Sequence, residues 1–138
     1  MIERTLAILK PDSVAQGRAG AIVARLEEEG FRLRGIKRLR LSDDQAREFY
    51  AVHRERPFFD GLVRFMTEGP IVPVALERDD AVAHLRKTMG ATDSKKADAG
   101  TIRNLHGTDI ERNAIHGSDS AENAAREVAF FFSEAELI

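Results

Sequence analysis

The chain has 138 residues, enough for one domain burying roughly 70% of the surface its unfolded form would expose. It contains no cysteine, which excludes disulfides, thiolate metal sites and a cysteine nucleophile and suits a reducing compartment. Twenty-one basic against twenty-three acidic residues give a net charge of −2, which excludes a broad electrostatic footprint for nucleic acid or membrane, so any anion site must be local.

Met1-Ile2-Glu3-Arg4 is charged at once, and no apolar run reaches the ~18 residues of a membrane span, so neither signal peptide nor anchor is expected and the protein reads as soluble and cytoplasmic. Residues 5–9 are apolar and closed by Lys10-Pro11-Asp12, which predicts a first strand ending at the proline. Ala19, Ile22, Val23 and Leu26 recur at helical spacing before the stop at Gly30. Over residues 31–41, Phe31, Leu33, Leu39 and Leu41 alternate with Arg32, Arg34, Arg38 and Arg40, a strand pattern with a phase disturbance at Gly35-Ile36 that suggests a bulge. Ser42 then caps a helix bearing Ala46, Phe49, Tyr50 and His53 on one side, and a second stripe, Phe59, Leu62, Val63 and Met66, completes a helical hairpin after Pro57.

Residues 71–76 are continuously apolar, as in a strand covered on both faces, although Pro73 argues for a bulge or a sheet edge. A helix through Val82, Leu85 and Met89 is predicted over residues 79–90 and ends at Gly90. Residues 91–112 show no sustained periodicity and read as a long loop, functional or disordered. A short strand at His116 follows, and Ala121, Ala124, Ala125, Val128, Ala129 and Phe132 mark the last helix. No repeat or linker divides residues 1–138, so one domain is expected: a βαββαβ core with additions, an α+β sandwich with helices on one face of a mainly antiparallel four-stranded sheet.

Among polar residues, His116 stands out. Gly117 removes side-chain bulk beside it so that a ligand can approach, and Ser118, Asp119 and Ser120 are all good helix N-caps, which places an anion at His116 near a helix N-terminus. A neutral imidazole, with an unperturbed pKa of roughly 6.5, is a nucleophile that needs orientation and no separate base. Glu127, between Ala124 and Val128 on the edge of the inward face, could orient it or could be a solvated helical carboxylate; the spacing permits contact without requiring it. Lys10, Arg86 and Arg103 could meet a polyphosphate, and each alone reads equally as a surface charge. Tyr50 and Phe58 fit core positions, or Phe58 offers a face on which a base stacks. There is no G-x-x-x-x-G-K-[ST] and no G-x-G-x-x-G, and His53, His84 and His106 form no metal-binding spacing.

Taken together, Asn113-x-x-His116-Gly117-Ser118-Asp119, with Lys10-Pro11-Asp12, Arg56-Pro57-Phe58-Phe59, Gly69-Pro70, Gly90-Ala91-Thr92 and Gly100-Thr101-Ile102-Arg103 preceding it in the family's order, closely resemble the nucleoside diphosphate kinase family over essentially the whole chain. The resemblance implies a ferredoxin-like fold and a ping-pong reaction in which His116 takes the γ-phosphate of a nucleoside triphosphate, typically ATP, and passes it to a nucleoside diphosphate. It implies that Lys10, Leu62, Arg86, Thr92, Arg103, Asn113 and Gly117 contact the nucleotide, that Phe58 stacks on its base, that Tyr50 and Glu127 orient the imidazole, and that Ser118 supports Glu127. Magnesium would arrive on the nucleotide phosphates, with Asp119 at most a ligand through water. Asn104-Leu105-His106 departs from the usual pattern of relatives and leaves the packing of that loop open. The chain stops soon after the last helix, and because the longer tail of many relatives takes part in subunit contacts in some assemblies, a homo-oligomer is expected to be a tetramer rather than a hexamer. Two rival readings are a non-catalytic ferredoxin-like nucleotide-binding or regulatory module, and nucleic-acid binding through the arginines of residues 32–40, which the net charge argues against.

Overall fold

The computed structural model describes residues 1–138. Four antiparallel strands, β1 (Ile2–Leu9), β2 (Arg32–Ile36), β3 (Val72–Asp79) and β4 (Ile115–Gly117), form one sheet in the order β2-β3-β1-β4. The helices are α1 (Pro11–Ala15), α2 (Ala19–Glu28), α3 (Asp43–Phe49), α4 (Phe59–Thr67), α5 (Ala81–Met89), α6 (Ile102–His106) and α7 (Ala121–Phe131). With α2 and α5 as the crossovers, the chain runs β1-α2-β2-β3-α5-β4, the ferredoxin-like βαββαβ order, with the α3–α4 hairpin inserted between β2 and β3. No helix is long and apolar enough to cross a membrane.

Helices cover both faces of the sheet, not one as the sequence suggested. The alternation along β1 shows why: Leu6 and Ile8 enter a cluster with Phe49, Val63, Met66 and Val128 of α3, α4 and α7, while Ala7 and Leu9 enter another with Ile22, Leu26 and Leu85 of α2 and α5. Side chains of odd and even residues leave opposite faces, and all four of these are fully buried. A strand apolar at every position needs a cover on each side.

Pro73 lies neither at a sheet edge nor at a bulge but in central β3, opposite Ile8 of β1. Its carbonyl accepts from the Lys37 N–H at 3.1 Å and its missing N–H faces the same segment, where the pairing with β2 is interrupted between Ile36–Val74 and an isolated bridge at Leu39–Ile71. The disturbance in the arginine-rich segment is a register shift between Leu33 and Gly35. A Cβ at Gly35 would stand 2.9 Å from the Phe132 ring, so the glycine admits the aromatic against the strand. The strand is shorter than the alternation implied and carries only Arg32 and Arg34, of which Arg34 pairs with Glu77 at 2.7 Å. Arg40 donates to the Thr67 and Glu68 carbonyls. No continuous basic stripe results.

Two short helices escape the sequence patterns. Pro11 does end β1, but it also starts α1 as its first residue, where a missing N–H costs nothing. Residues 91–112, expected as a loop, contain a turn of 3-10 helix at Ser94–Lys96 and α6, capped by the Thr101 side chain on the Asn104 N–H. Asn104 returns the contact by accepting the Gly100 N–H at 3.2 Å, so the unusual Asn104-Leu105-His106 segment is stitched into its loop. Ser42 caps α3 in a capping box with Gln45, and Ser120 caps α7. On α7 the inward face is Ala124, Glu127, Val128 and Phe131; Ala121, Ala125 and Ala129, read as part of the packed stripe, are exposed.

Candidate active site

Strand β4 sets His116 opposite Ile8 of β1, and α7 packs across β1 so that Glu127 comes back to the same place. The two side chains meet: His116 Nε2 lies 2.7 Å from Glu127 Oε1. Ser118, fully buried, donates its hydroxyl to the same oxygen at 2.8 Å, and the Arg126 guanidinium stands 3.6 Å from Oε2. A carboxylate accepts only, so Nε2 carries the ring proton and the Nδ1 lone pair faces the cleft. Burial lowers the imidazole pKa, against the opposing hydrogen bond and charge of Glu127, which keeps the ring neutral near pH 7. Burial alone would raise Glu127; the contacts of His116, Ser118 and Arg126 together outweigh it and hold the carboxyl below its usual range.

A cleft of about 510 Å³ opens over His116. Lys10, Tyr50, Phe58, Leu62, Arg86, Thr92, Arg103, Asn113, Gly117, Asp119 and Glu127 all line it, from elements scattered along the whole chain. Ser118 sits behind Glu127. The three cations have oxygen partners but no carboxylate. Lys10 Nζ donates to Asn113 Oδ1 at 2.8 Å, Arg103 donates to the Ile115 and Gly90 carbonyls at 2.8 and 3.2 Å, and Arg86 reaches the Gly117 carbonyl at 3.5 Å. Burial and the Arg103 charge push Lys10 down to about 8, and burial and the Arg86 charge push Arg103 down to about 10. Lys10 and Arg103 are buried and Arg86 stands exposed at the cleft; a cation held dry without counter-charge is costly unless an anion joins it, so the two buried ones give this wall the character an anion would need. Asn113 is the strut between Lys10 and the far loop, donating its amide to the Thr92 carbonyl at 2.9 Å.

Tyr50 touches His116 by its ring edge, with centroids 6.0 Å apart at 88°; its buried hydroxyl has no hydrogen bond, and burial raises its pKa. Its contact with the imidazole is therefore one of packing. Phe58 is 52% exposed at the mouth of the cleft, backed by the His53 ring at 5.3 Å. Asp119 accepts the Asn123 amide and faces the cleft. Gly117 does not open space for a ligand: a Cβ there would meet Met89 Sδ at 2.7 Å and Leu85 at 3.0 Å, so the missing side chain makes room for α5. Two contributors went unmarked in the sequence. Phe49 lays its ring edge against His116 at 5.6 Å and 72°, and Arg126 lines the cleft above Phe49. Phe49 shares its helical stripe with Tyr50, which was legible only as a packing face.

Fold and cleft together define a class: a ferredoxin-like α+β protein in which a carboxylate-oriented histidine faces unpaired cations. A family model of the nucleoside diphosphate kinases matches residues 3–137. Nucleoside diphosphate kinases of Acidiphilium cryptum and of an Anaeromyxobacter species are each 57% identical over 136 residues, spanning 99% of this chain and 97% and 92% of theirs. In structure, the chain superposes on the nucleoside diphosphate kinase of Aquifex aeolicus with a TM-score of 0.98, 46% identity and full coverage of both chains. That of Halobacterium salinarum, solved in complex with CDP, gives 0.95 and 45% identity, covering all of this chain and 92% of the other. The chain belongs to the nucleoside diphosphate kinase family, and it is an enzyme of the phosphotransferase class.

Proposed function

We propose that His116 carries the phosphate in a ping-pong exchange between nucleoside triphosphates and diphosphates. Nδ1 attacks the γ-phosphorus of a bound triphosphate such as ATP; the bond to the β–γ bridging oxygen breaks, and the diphosphate leaves with that oxygen. A terminal oxygen of a second diphosphate then attacks the phosphorus, and the N–P bond returns its electrons to Nδ1. Glu127 accepts a hydrogen bond from Nε2–H throughout, the proton staying on the ring and the carboxylate stabilising the positive charge that develops there, and Ser118 holds Glu127. Lys10, Arg86 and Arg103 neutralise the phosphates, Thr92, Asn113 and the Gly117 backbone position them, and Phe58 with Leu62 takes the base. The observation that carries this reading is the orientation of His116, with Nε2 bonded to Glu127 and Nδ1 free beside cations without carboxylate partners.

Base stacking on Phe58 suits broad nucleotide tolerance, because every base has a π-face. No group of three His, Cys, Asp or Glu side chains converges to hold a metal. Magnesium fits this cleft as part of the substrate, bound to the phosphates whose charge it neutralises, with the Asp119 carboxylate as acceptor for one of its waters. The same reading includes a cytoplasmic location, which the cysteine-free sequence suits. It also includes self-association, with a tetramer the expected size. Support comes from the apolar face where half-exposed Ile36 on edge strand β2 adjoins Val23 of α2. Sedimentation would reveal a monomer if that part is wrong.

The test of the exchange is a label chase. Wild-type protein incubated with γ-labelled ATP and magnesium should retain acid-labile label, discharge it on addition of an unlabelled diphosphate, and do neither as His116→Ala. Nucleotide binding without label in the wild type would favour a non-catalytic binding module.

A further inference from the structure

Asp12 takes no part in the chemistry above, yet it is 4% exposed and aimed at the segment that carries His116. Its Oδ2 accepts the Ala114 N–H at 3.1 Å. Ala114 has a φ of +73°, a left-handed conformation that alanine rarely adopts. The Ile115 N–H closes on the Asn113 carbonyl at 2.9 Å, so residues 113–115 form a γ-turn of the strained, positive-φ kind. Its central peptide is gripped from the other end too: the Ala114 carbonyl accepts the Lys10 N–H at 2.9 Å and the Ser13 hydroxyl at 2.8 Å. Residues 10–13 thus bond to both polar groups of the one strained residue. Asn113, whose side chain meets Lys10 Nζ, is the first residue of that turn, and β4 with His116 begins on its last, Ile115.

We propose that Asp12 and Ser13 are positioning residues that hold Ala114 in its left-handed turn, and that this turn sets the Lys10–Asn113 contact and the origin of the strand bearing His116. A strained conformation persists only where its surroundings over-determine it. Released, Ala114 returns to negative φ, and the chain direction between Asn113 and Ile115 changes with it. The inference rests on the phosphotransfer reading for its kinetic consequence but not for its structural one.

The experiment measures transfer from ATP, melting temperature and the His116 Nε2–H resonance in wild type, Asp12→Ala and Asp12→Asn, with each Asp12 substitution repeated in an Ala114→Gly chain. Asp12→Ala should lower kcat/KM on the order of 10²-fold, the scale of a small misplacement of reacting groups, and should broaden or shift the His116 proton. Asp12→Asn, whose amide oxygen accepts the same N–H, should lose no more than about fivefold. In the glycine background, where positive φ carries no steric cost, the Asp12→Ala loss should shrink at least tenfold or so. If Asp12→Ala does not fold, Ser13→Ala in the two backgrounds makes the same comparison. An Asp12→Ala loss equal in both backgrounds, or matched by Asp12→Asn, or absent, would overturn the inference. A wild type without transfer activity would instead overturn the phosphotransfer reading, and the His116 resonance would still decide the role of the turn.

Discussion

His116 and Glu127, eleven residues apart, are joined at 2.7 Å through Nε2, and Ser118 bonds to the same carboxylate oxygen at 2.8 Å. Two donors converge on one oxygen, so the ring cannot turn over without breaking a buried contact, and Nδ1 is the nitrogen left to the cleft. The nitrogen offered to the cleft is therefore decided by a side chain of α7, eleven residues further along the chain.

Glu127→Gln removes the charge that opposes burial at His116 and replaces an acceptor-only carboxylate with an amide that can accept or donate. The ring pKa should fall further, so the acid limb of the kcat–pH profile moves to lower pH, while kcat drops on the order of 10²-fold because an amide no longer selects one tautomer. A limb that moves up the pH scale would show that another group sets the ring's protonation.

The alkaline limb of the profile is expected to come from Lys10. It is a base whose folded pKa is pushed down to about 8, so it is charged below that pH and neutral above it. In consequence kcat/KM, which reports the free enzyme, should fall as the pH rises through about 8, whereas kcat should hold to higher pH because bound phosphate restores the charge. Profiles of Lys10→Ala should lack this limb; its survival would assign it elsewhere.

Phe58 is half exposed, so Phe58→Ala removes stacking without opening the core. A loss of about 1–3 kcal/mol per base corresponds to KM values raised roughly tenfold or more, alike for purine and pyrimidine diphosphates, with kcat at saturation changing far less. A loss confined to one base would point to edge recognition in place of stacking.

Gly117→Ala forces a methyl against Met89 and Leu85. Overpacking of this kind costs about 1–3 kcal/mol and should appear as a lower melting temperature. Met89→Ala in the same chain vacates the space, so the two substitutions together should cost less than their sum. Strict additivity would mean that Gly117 serves the cleft and not α5.

What could be read in advance followed periodicity. Strands β1 and β3, helices α2, α5 and α7 and the α3–α4 hairpin all carry long apolar patterns, and Ser42 and Ser120 mark their starts by chemistry that acts over three residues. Helices α1 and α6 are five residues each, too short to show a period, and Pro11 reads the same whether it ends a strand or begins a helix. Pro73 argued for an edge because its acceptability depends on where β2 stops, a fact held in another segment. His116 was legible through its small polar neighbours. Asp12 and Phe49 were not, since their roles consist of contacts across 102 and 67 positions of sequence, to Ala114 and His116.

The nitrogen that carries the phosphate is the most direct question to ask of this site. Wild-type protein labelled from γ-labelled ATP in a single turnover, digested under alkaline conditions that preserve phosphohistidine, resolves the Nδ1 and Nε2 isomers. The expected result is label on His116 at Nδ1 alone; label at Nε2, or on any other residue, would contradict the role assigned to Glu127 and with it the orientation on which the mechanism depends.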